Sequence, residues 1–310
     1  MEKAGGFFMQ RVRKQIACPE YAECTGTPIT IGFLDTGIRK HPDFEDRIIY
    51  FKDFINDKKE CYDDSGHGTH VCGIAAGSGR MSEGKYRGIS PYSHIVVGKV
   101  LDENGDGTAD KMMEGLLWMI ENRTRLQIRI INISIGIGNL KDEKKLKELT
   151  ETIEKACHNG ILVICAAGNL GPGPGTISPL GVSKNVLTVG CHDGTFFEGN
   201  SNRCETYSGR GPTKYAIKKP DIVAPGTEIT SCNADFYQKN KTIQNAYTVK
   251  SGTSMATPIV TGAAALIMQK YPALTQEMVK KKLLYSAKDL KEPWTKQGWG
   301  MLNIRNALMI

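Results

Sequence analysis

The sequence predicts an α/β fold of three layers, in which a mostly parallel central sheet is covered by helices on both faces. Three observations support this prediction. Short apolar runs of strand length recur along the chain, amphipathic stretches of helix length lie between them, and 310 residues with 40% hydrophobic content suffice for one large core. Strands that alternate with helices typically form a parallel sheet buried on both sides.

The individual elements follow from that alternation. We predict strands at the apolar runs 29–34, 94–100, 128–135, 161–166, 186–189 and 221–224. We predict helices over residues 68–76, 110–121, 144–158, 254–270 and 275–286. The mixed charges of residues 141–148 indicate the solvated face of a helix. Because sites in parallel sheets collect beyond the carboxyl ends of the strands, functional residues are expected just after the strands.

Composition and charge argue against several classes of protein. The longest apolar stretches, 161–167 and 263–268, are much shorter than the ~20 residues that cross a bilayer, so no membrane partner is expected. The net charge of +7 comes from basic residues mixed with acidic ones, without an extended basic stripe, so no nucleic-acid partner is expected. The nine cysteines are an odd number without zinc-type spacing, which predicts reduced thiols.

The N-terminal sequence bears on localisation. Residues 1–13 include basic side chains but lack the apolar stretch and small-residue cleavage site of a secretory signal. This favours a cytoplasmic protein. Secretion is the alternative if a prepro-segment has been removed.

Ser254 is a candidate nucleophile, because it lies in a turn of small residues directly before a helical apolar stretch. A serine hydroxyl is inert at its ordinary pKa and needs a histidine base that a carboxylate orients. Asp35 closes the first predicted strand, and His67 opens the first predicted helix. Taken singly, Asp35 fits a turn residue and Ser254 a helix cap. A metal site at His67 and His70 would lack a third ligand.

Four short blocks resemble the subtilisin-like serine proteases, or subtilases. They are Asp-Thr-Gly at 35–37, His-Gly-Thr-His at 67–70, Ala-Ala-Gly-Asn at 166–169 and Gly-Thr-Ser-Met-Ala-Thr-Pro at 252–258. The chain order Asp, His, Ser is also the order of the subtilisin triad. The similarity extends from about Pro28 to Asn306 and is greatest to the bacterial intracellular branch. It implies a catalytic domain over residues 28–310 after an N-terminal extension over residues 1–27.

The resemblance implies a serine endopeptidase that acts on proteins or peptides. Ser254 would attack the peptide carbonyl, His67 would transfer the proton, and Asp35 would orient the imidazole. Asn169 and the backbone N–H of Ser254 would bind the oxyanion. Two alternatives stay open: a transacylase or peptide cyclase on the same fold, and a non-catalytic relative that binds peptides.

The resemblance also implies a substrate cleft with apolar S1 and S4 pockets. An extended peptide would pair between two segments, and the pockets would select its side chains. The pairing segments would be Ser134, Ile135 and Gly136 on one side and Gly105, Asp106 and Gly107 on the other. S1 would lie between Ser134, Ile135, Gly136 and Ala166, Ala167, Gly168. S4 would be lined by Leu101, Ala109, Met112 and Ile135.

We expect that no cofactor is required, while a weak structural calcium site remains open without a location. Residues 102–107 copy the first half of an EF-hand loop, but Met113 stands where its bidentate glutamate belongs. The loop 77–86 differs from the Asn-rich calcium loop of many secreted subtilases and offers little beyond Glu83. The segment 6–9, Gly-Phe-Phe-Met, is a candidate self-inhibitor that would occupy the cleft.

Overall fold

The computed structural model describes residues 9–19, 24–135, 142–194, 203–213, 217–240 and 242–309. These residues form eight α-helices and eleven β-strands. The helices are α1 (Met9–Gln15), α2 (His67–Ala76), α3 (Ala109–Asn122), α4 (Glu143–His158), α5 (Thr253–Lys270), α6 (Gln276–Tyr285), α7 (Trp294–Gln297) and α8 (Ile304–Met309). The strands are β1 (Thr30–Asp35), β2 (Ile48–Asp53), β3 (His94–Lys99), β4 (Ile128–Ile133), β5 (Leu162–Ala166), β6 (Leu187–Cys191), β7 (Ile222–Ala224), β8 (Ile229–Cys232), β9 (Tyr237–Lys239), β10 (Thr242–Gln244) and β11 (Tyr247–Lys250).

Seven strands form one sheet in the order β2-β3-β1-β4-β5-β6-β7, and every neighbouring pair in it is parallel. All residues of β1 and β5 are buried, as expected for strands covered on both faces. The predicted α/β architecture with a parallel central sheet is therefore confirmed. The strands β8 and β11 pair antiparallel outside this sheet.

Two apolar cores cover the two faces of the sheet. The α2–α5 core joins the buried residues of these two helices with β8 and with parts of α1, α6 and α8; it includes Val71, Ile74, Val260 and Ile229. The α3–α4 core lies beneath the other two long helices and includes Leu116, Met119, Leu149 and Ile153. Three layers result: one core, the sheet and the other core.

Helix boundaries agree with local capping chemistry. The Thr108 hydroxyl accepts from the N–H of Lys111 at the start of α3, and the Asp142 carboxylate accepts from Lys144 and Lys145 at the start of α4. Side chains of this type satisfy backbone N–H groups that have no partner within the helix. In α6 the same position is held by Thr275. The five helices predicted from the sequence are all present.

The first helix is part of the α2–α5 core. Met9 and Val12 of α1 are completely buried, and the carbonyl of Ile16 accepts from the N–H of Ile304 at the start of α8. The Arg13 guanidinium donates to the carbonyl of Gly88 at 2.8 Å. Part of the predicted N-terminal extension is thus packed on the body of the fold. The boundary at residue 28 stays a prediction.

The cysteines do not all carry free thiols. Cys191 and Cys204 are joined by a disulfide, which corrects the expectation of reduced cysteines at this pair. Six further cysteines carry free thiols, and Cys72 among them is completely buried in α2; the six are Cys18, Cys61, Cys72, Cys157, Cys165 and Cys232. None of the described helices has the length and apolar character needed to span a bilayer.

Candidate active site

Asp35 and His67 are brought together at the carboxyl end of β1. The Asp35 carboxylate accepts from the His67 ring nitrogen Nδ1 at 2.7 Å, and the same oxygen accepts from the N–H of Thr36 at 2.8 Å. Asp35 is completely buried, whereas 24% of the His67 side chain is exposed. A Cβ on Gly68 would collide with the carbonyl of Gly37, so only glycine lets α2 begin this close to β1. The arrangement leaves the second ring nitrogen of His67 for another partner.

A buried acid, Asp63, fixes the start of α2. Its carboxylate accepts from the N–H of Gly66 at 2.8 Å and from the N–H of Thr69 at 2.7 Å. It also accepts from the hydroxyl of Thr36, which in turn accepts from the N–H of Gly68. Asp63 thereby holds the residue after Asp35 and the first turn of α2 in one network. The sequence analysis missed it, although an acid four residues before His67 is a signal for a helix start.

The electrostatic surroundings of His67 set its protonation. Burial of the ring lowers its pKa, but the charge and the hydrogen bond of Asp35 outweigh burial and hold the pKa above the usual value of histidine. The charge of Lys250 opposes Asp35. The imidazole is therefore a stronger base than a free histidine side chain.

His70 belongs to the structure of the site and does not face the cleft. It is completely buried, and its Nε2 donates to the carbonyl of Ile229 at 3.0 Å. Burial lowers the pKa of His70 to about 3, and the charges of Lys250 and His67 act in the same direction. A neutral ring in this position connects α2 to β8.

Asn169 is hydrogen-bonded to the first residue of α5, directly before Ser254. Ser254 is the second residue of this helix and is half-buried, and Gly252 caps the helix with a φ of 145° that side chains rarely adopt. The Asn169 side-chain oxygen accepts from the N–H of Thr253 at 3.2 Å and from its hydroxyl at 3.0 Å. These bonds fix the orientation of the Asn169 amide, and its NH₂ group is left to donate to another acceptor.

The predicted S4 residues share one environment. Leu101, Ala109, Met112 and Ile135 are all buried in the α3–α4 core. Gly107 is exposed, and the Leu101 side chain lies against its backbone. The assignment of these residues to S4 remains a prediction.

The remaining cleft residues surround the ends of β3, β4 and β5. Ser134 is completely buried, and its hydroxyl accepts from the amide of Asn132 at 2.8 Å. Gly136 lies outside the described residues. Ala166 and Ala167 are buried at the end of β5, and Gly168 accepts from the N–H of Gly209 through its carbonyl.

The segment 102–107 forms a tight turn with internal hydrogen bonds. The Asp102 carboxylate accepts from the N–H groups of Asn104 and Asp106, both at 2.9 Å. Gly105 has a φ of 79°, which permits this tight turn. Asp106 is exposed at the rim, so its own carboxylate faces solvent.

The loop after α2 is held by hydrogen bonds to a buried acid. The completely buried carboxylate of Asp43 accepts from the N–H groups of Gly79 and Met81 at 3.1 and 2.9 Å, and from the Tyr247 hydroxyl at 2.7 Å. Calcium needs six to eight oxygen ligands, whereas N–H and O–H donors surround this carboxylate. Hydrogen bonds thus hold the loop 77–86 to the core.

If no structural metal ion is required, EDTA should leave the melting temperature of the protein unchanged, because only an ion that binds the folded state is linked to its stability. Differential scanning calorimetry with EDTA and with added calcium chloride measures this. Equal concentrations of magnesium chloride provide the ionic-strength control. A melting temperature that falls in EDTA and recovers specifically in calcium would contradict the expectation and show a structural calcium site.

The chain is similar to known proteins over most of its length. The model of the subtilase family matches residues 26–300. The chain is 41% identical over 299 residues to serine protease AprX of Bacillus subtilis (strain 168), covering 92% of this chain and 67% of that protein. It is 34% identical over 258 residues to the intracellular serine protease of Paenibacillus polymyxa, covering 79% of this chain and 68% of that protein. The chain thus spans about two thirds of the length of both relatives.

Among solved structures, sphericase superposes with a TM-score of 0.78 at 27% identity, covering 94% of this chain and 97% of sphericase. Sequence and fold agree over nearly the whole chain. The chain therefore belongs to the subtilase family, a family of serine-type endopeptidases.

Proposed function

We propose that the chain hydrolyses peptide bonds of proteins through an acyl-enzyme formed on Ser254. The observation that carries this proposal is the 2.7 Å hydrogen bond between Asp35 and the Nδ1 of His67. It fixes the imidazole with its other nitrogen unprotonated, as a general base requires. His67 and Ser254 stand in the first turns of α2 and α5, and these helices pack on each other in one core.

The proposed reaction has two stages. In the first, the Ser254 hydroxyl attacks the peptide carbonyl, and His67 takes its proton and gives it to the leaving amine, which departs as the C–N bond breaks. In the second, His67 takes a proton from water as the water oxygen attacks the ester, the bond between the acyl carbon and the Ser254 oxygen breaks to release the acid, and the proton returns to Ser254. Asp35 stays ionised and stabilises the imidazolium formed in each stage.

Asn169 would stabilise the negative charge that develops on the carbonyl oxygen. Because Thr253 occupies the side-chain oxygen of Asn169, the NH₂ group is the part that can face a substrate. The backbone N–H of Ser254, at the start of α5, would be the second donor. Both donors then act on the oxyanion more strongly than on the ground-state carbonyl.

Replacing Asn169 by Ala should lower kcat by about 10²–10³-fold with little change in KM, the loss typical of one oxyanion donor. Steady-state hydrolysis of a chromogenic peptide measures both constants. Leu170→Ala, a truncation of the adjacent side chain that is 75% exposed, is the matched control and should retain activity. A large rise in KM at unchanged kcat would assign Asn169 to substrate binding instead.

The substrate would bind as an extended strand between residues 105–107 and 134–136. S1 would lie between the segments at the ends of β4 and β5, and S4 within the apolar residues of the α3–α4 core. Backbone pairing would supply affinity for many sequences, while the apolar walls would favour apolar side chains in both pockets. Substrates would therefore be protein segments that are already unfolded or mobile enough to become extended.

A transacylase or peptide cyclase remains the alternative function, since water and an amine compete for the same acyl-enzyme. Mass spectrometry of products formed with an added amine nucleophile separates the two. We further propose a cytoplasmic location, supported by the relative named as an intracellular serine protease.

A self-inhibiting role for the segment 6–9 also stays a proposal. Residues 6–8 lie outside the described residues, and Met9 begins α1 with its side chain completely buried. Removing residues 1–8 would leave α1 intact. Equal activity of the truncated and full chains would contradict self-inhibition.

The proposed function is tested by labelling with a fluorophosphonate, which reacts with activated serines, followed by peptide mapping. We expect the label on Ser254 of the wild type and none on Ser254→Ala. A folded wild type that takes no label, with or without residues 1–8, would overturn the proposal. A label on another serine would place the nucleophile elsewhere.

A further inference from the structure

A lysine ends the strand that is hydrogen-bonded to the helix of the proposed catalytic base. Lys250 is the last residue of β11, four residues before Ser254, and it pairs with Ile229 of β8. The carbonyls of Ile229 and Thr248 both accept from His70 Nε2, at 3.0 and 3.3 Å. These hydrogen bonds attach the antiparallel pair of β8 and β11 to the first turn of α2. The positive charge of Lys250 acts to lower the pKa of both His67 and His70.

Lys250 has no ion-pair partner among the residues that the structure describes. The acids closest to the active site are already engaged: Asp35 by His67, and Asp63 by Thr36 and the start of α2. The side chain of Lys250 is half-buried, so its charge is screened less than that of a fully exposed lysine. An unpaired cation in this position attracts a carboxylate from a bound molecule.

The position of β11 relative to the two cores indicates which part of a peptide would meet Lys250. The proposed S4 residues belong to the α3–α4 core, whereas β8, α2 and α5 belong to the α2–α5 core on the opposite face. His67 and Ser254 lie in the first turns of α2 and α5, on the side of the α2–α5 core. A peptide with its acyl half against the α3–α4 side would extend its leaving half past Ser254 toward β11.

We propose that Lys250 gives the enzyme a preference for peptides with an acidic side chain in the first or second position after the scissile bond. The inference rests on the proposed function, because it needs a peptide bound across His67 and Ser254. Lys250 acts by attracting the carboxylate of the leaving half and takes no part in proton transfer. A basic side chain in the same position would be repelled.

The preference is measured with internally quenched peptides that share one acyl half and carry Glu, Gln or Lys after the scissile bond. For the wild type we expect kcat/KM to be about tenfold higher for the Glu than for the Lys peptide, equivalent to about 1.4 kcal/mol. The ratio should shrink as salt is added, because the lysine is partly exposed to screening.

Substitutions at Lys250 separate this role from a structural one. Lys250→Arg should keep the Glu preference, Lys250→Gln should remove it, and Lys250→Glu should reverse it. The rate on the Gln peptide serves as the reference for each variant, so that any change in the basicity of His67 cancels in the Glu-to-Lys ratio. Lys239→Gln, the same charge change on the exposed strand β9, is the matched control and should keep the preference.

Equal Glu-to-Lys ratios in the wild type and Lys250→Gln would overturn the inference, provided that the peptides are cleaved. Parallel loss of activity on all three peptides, without a change in their ratio, would also overturn it, since that result indicates a structural role. Failure of the wild type to cleave any peptide would instead count against the proposed function. The two failures are therefore distinguishable.

Discussion

Ser254→Ala is expected to lower kcat by roughly 10⁶-fold, the scale of loss on removing the nucleophile of a subtilisin-type triad. The loss is large because an alanine offers no oxygen for the acyl-enzyme, so the remaining groups can only assist direct attack by water. Residual activity should remain above the uncatalysed rate, because the oxyanion donors and the binding segments are unchanged. Hydrolysis of a chromogenic peptide at saturating substrate measures kcat.

Ser251→Ala provides the matched control for this variant. Ser251 is exposed, lies three residues earlier, and its hydroxyl oxygen accepts only from the N–H of Glu228 among the described contacts. Its loss should leave kcat close to the wild-type value. If Ser254→Ala retained substantial activity while remaining folded by circular dichroism, the assignment of the nucleophile would be wrong.

Asp35→Asn is expected to lower kcat by about 10⁴-fold at neutral pH. The Asn side chain presents an NH₂ group or a neutral oxygen to His67 Nδ1, so the tautomer that leaves the other nitrogen unprotonated is no longer held. The imidazolium formed during proton transfer also loses its buried counter-charge. Single-turnover acylation measured across pH tests both effects.

The kcat/KM of the wild type should decrease at low pH. Protonated His67 cannot accept the serine proton, so kcat/KM of the wild type falls as pH decreases through the raised pKa of His67. Asp35→Asn removes the main cause of the raised His67 pKa. The fall of its residual kcat/KM at low pH, the acid limb of the profile, should therefore occur at a lower pH than in the wild type. Asp46→Asn, the same change on an exposed acid, should leave the limb in place. An acid limb that stays fixed in Asp35→Asn would show that another group controls it.

The parts of the fold that were predicted from the sequence are those with strong local signals. Buried parallel strands read as continuous apolar runs, and β1 and β5 are buried along their whole length. The strand β2 was missed because it lies at the sheet edge and only its last residue, Asp53, is buried. The apolar sequence pattern that indicates a buried strand is weaker where one face of the strand is exposed to solvent.

The residues of the site also differ in how clearly the sequence indicates them. Asp35, His67, Asn169 and Ser254 were located through four short motifs, and the structure joins Asp35 to His67 and brings Asn169 to the residue before Ser254. Lys250 could not be found this way, because its closeness to His67 depends on the pairing of β11 with β8. The Cys191–Cys204 disulfide likewise depends on where the fold places two distant thiols.

The helices that carry His67 and Ser254 are buried along almost their entire length and share one core. Amide hydrogens in such helices exchange only when the domain opens as a whole. Heat inactivation and global unfolding should therefore coincide, with no active partly open state between them. If the protein cleaves unfolded chains, as we propose, a molecule that unfolds becomes a substrate for the remaining enzyme as it loses its own activity.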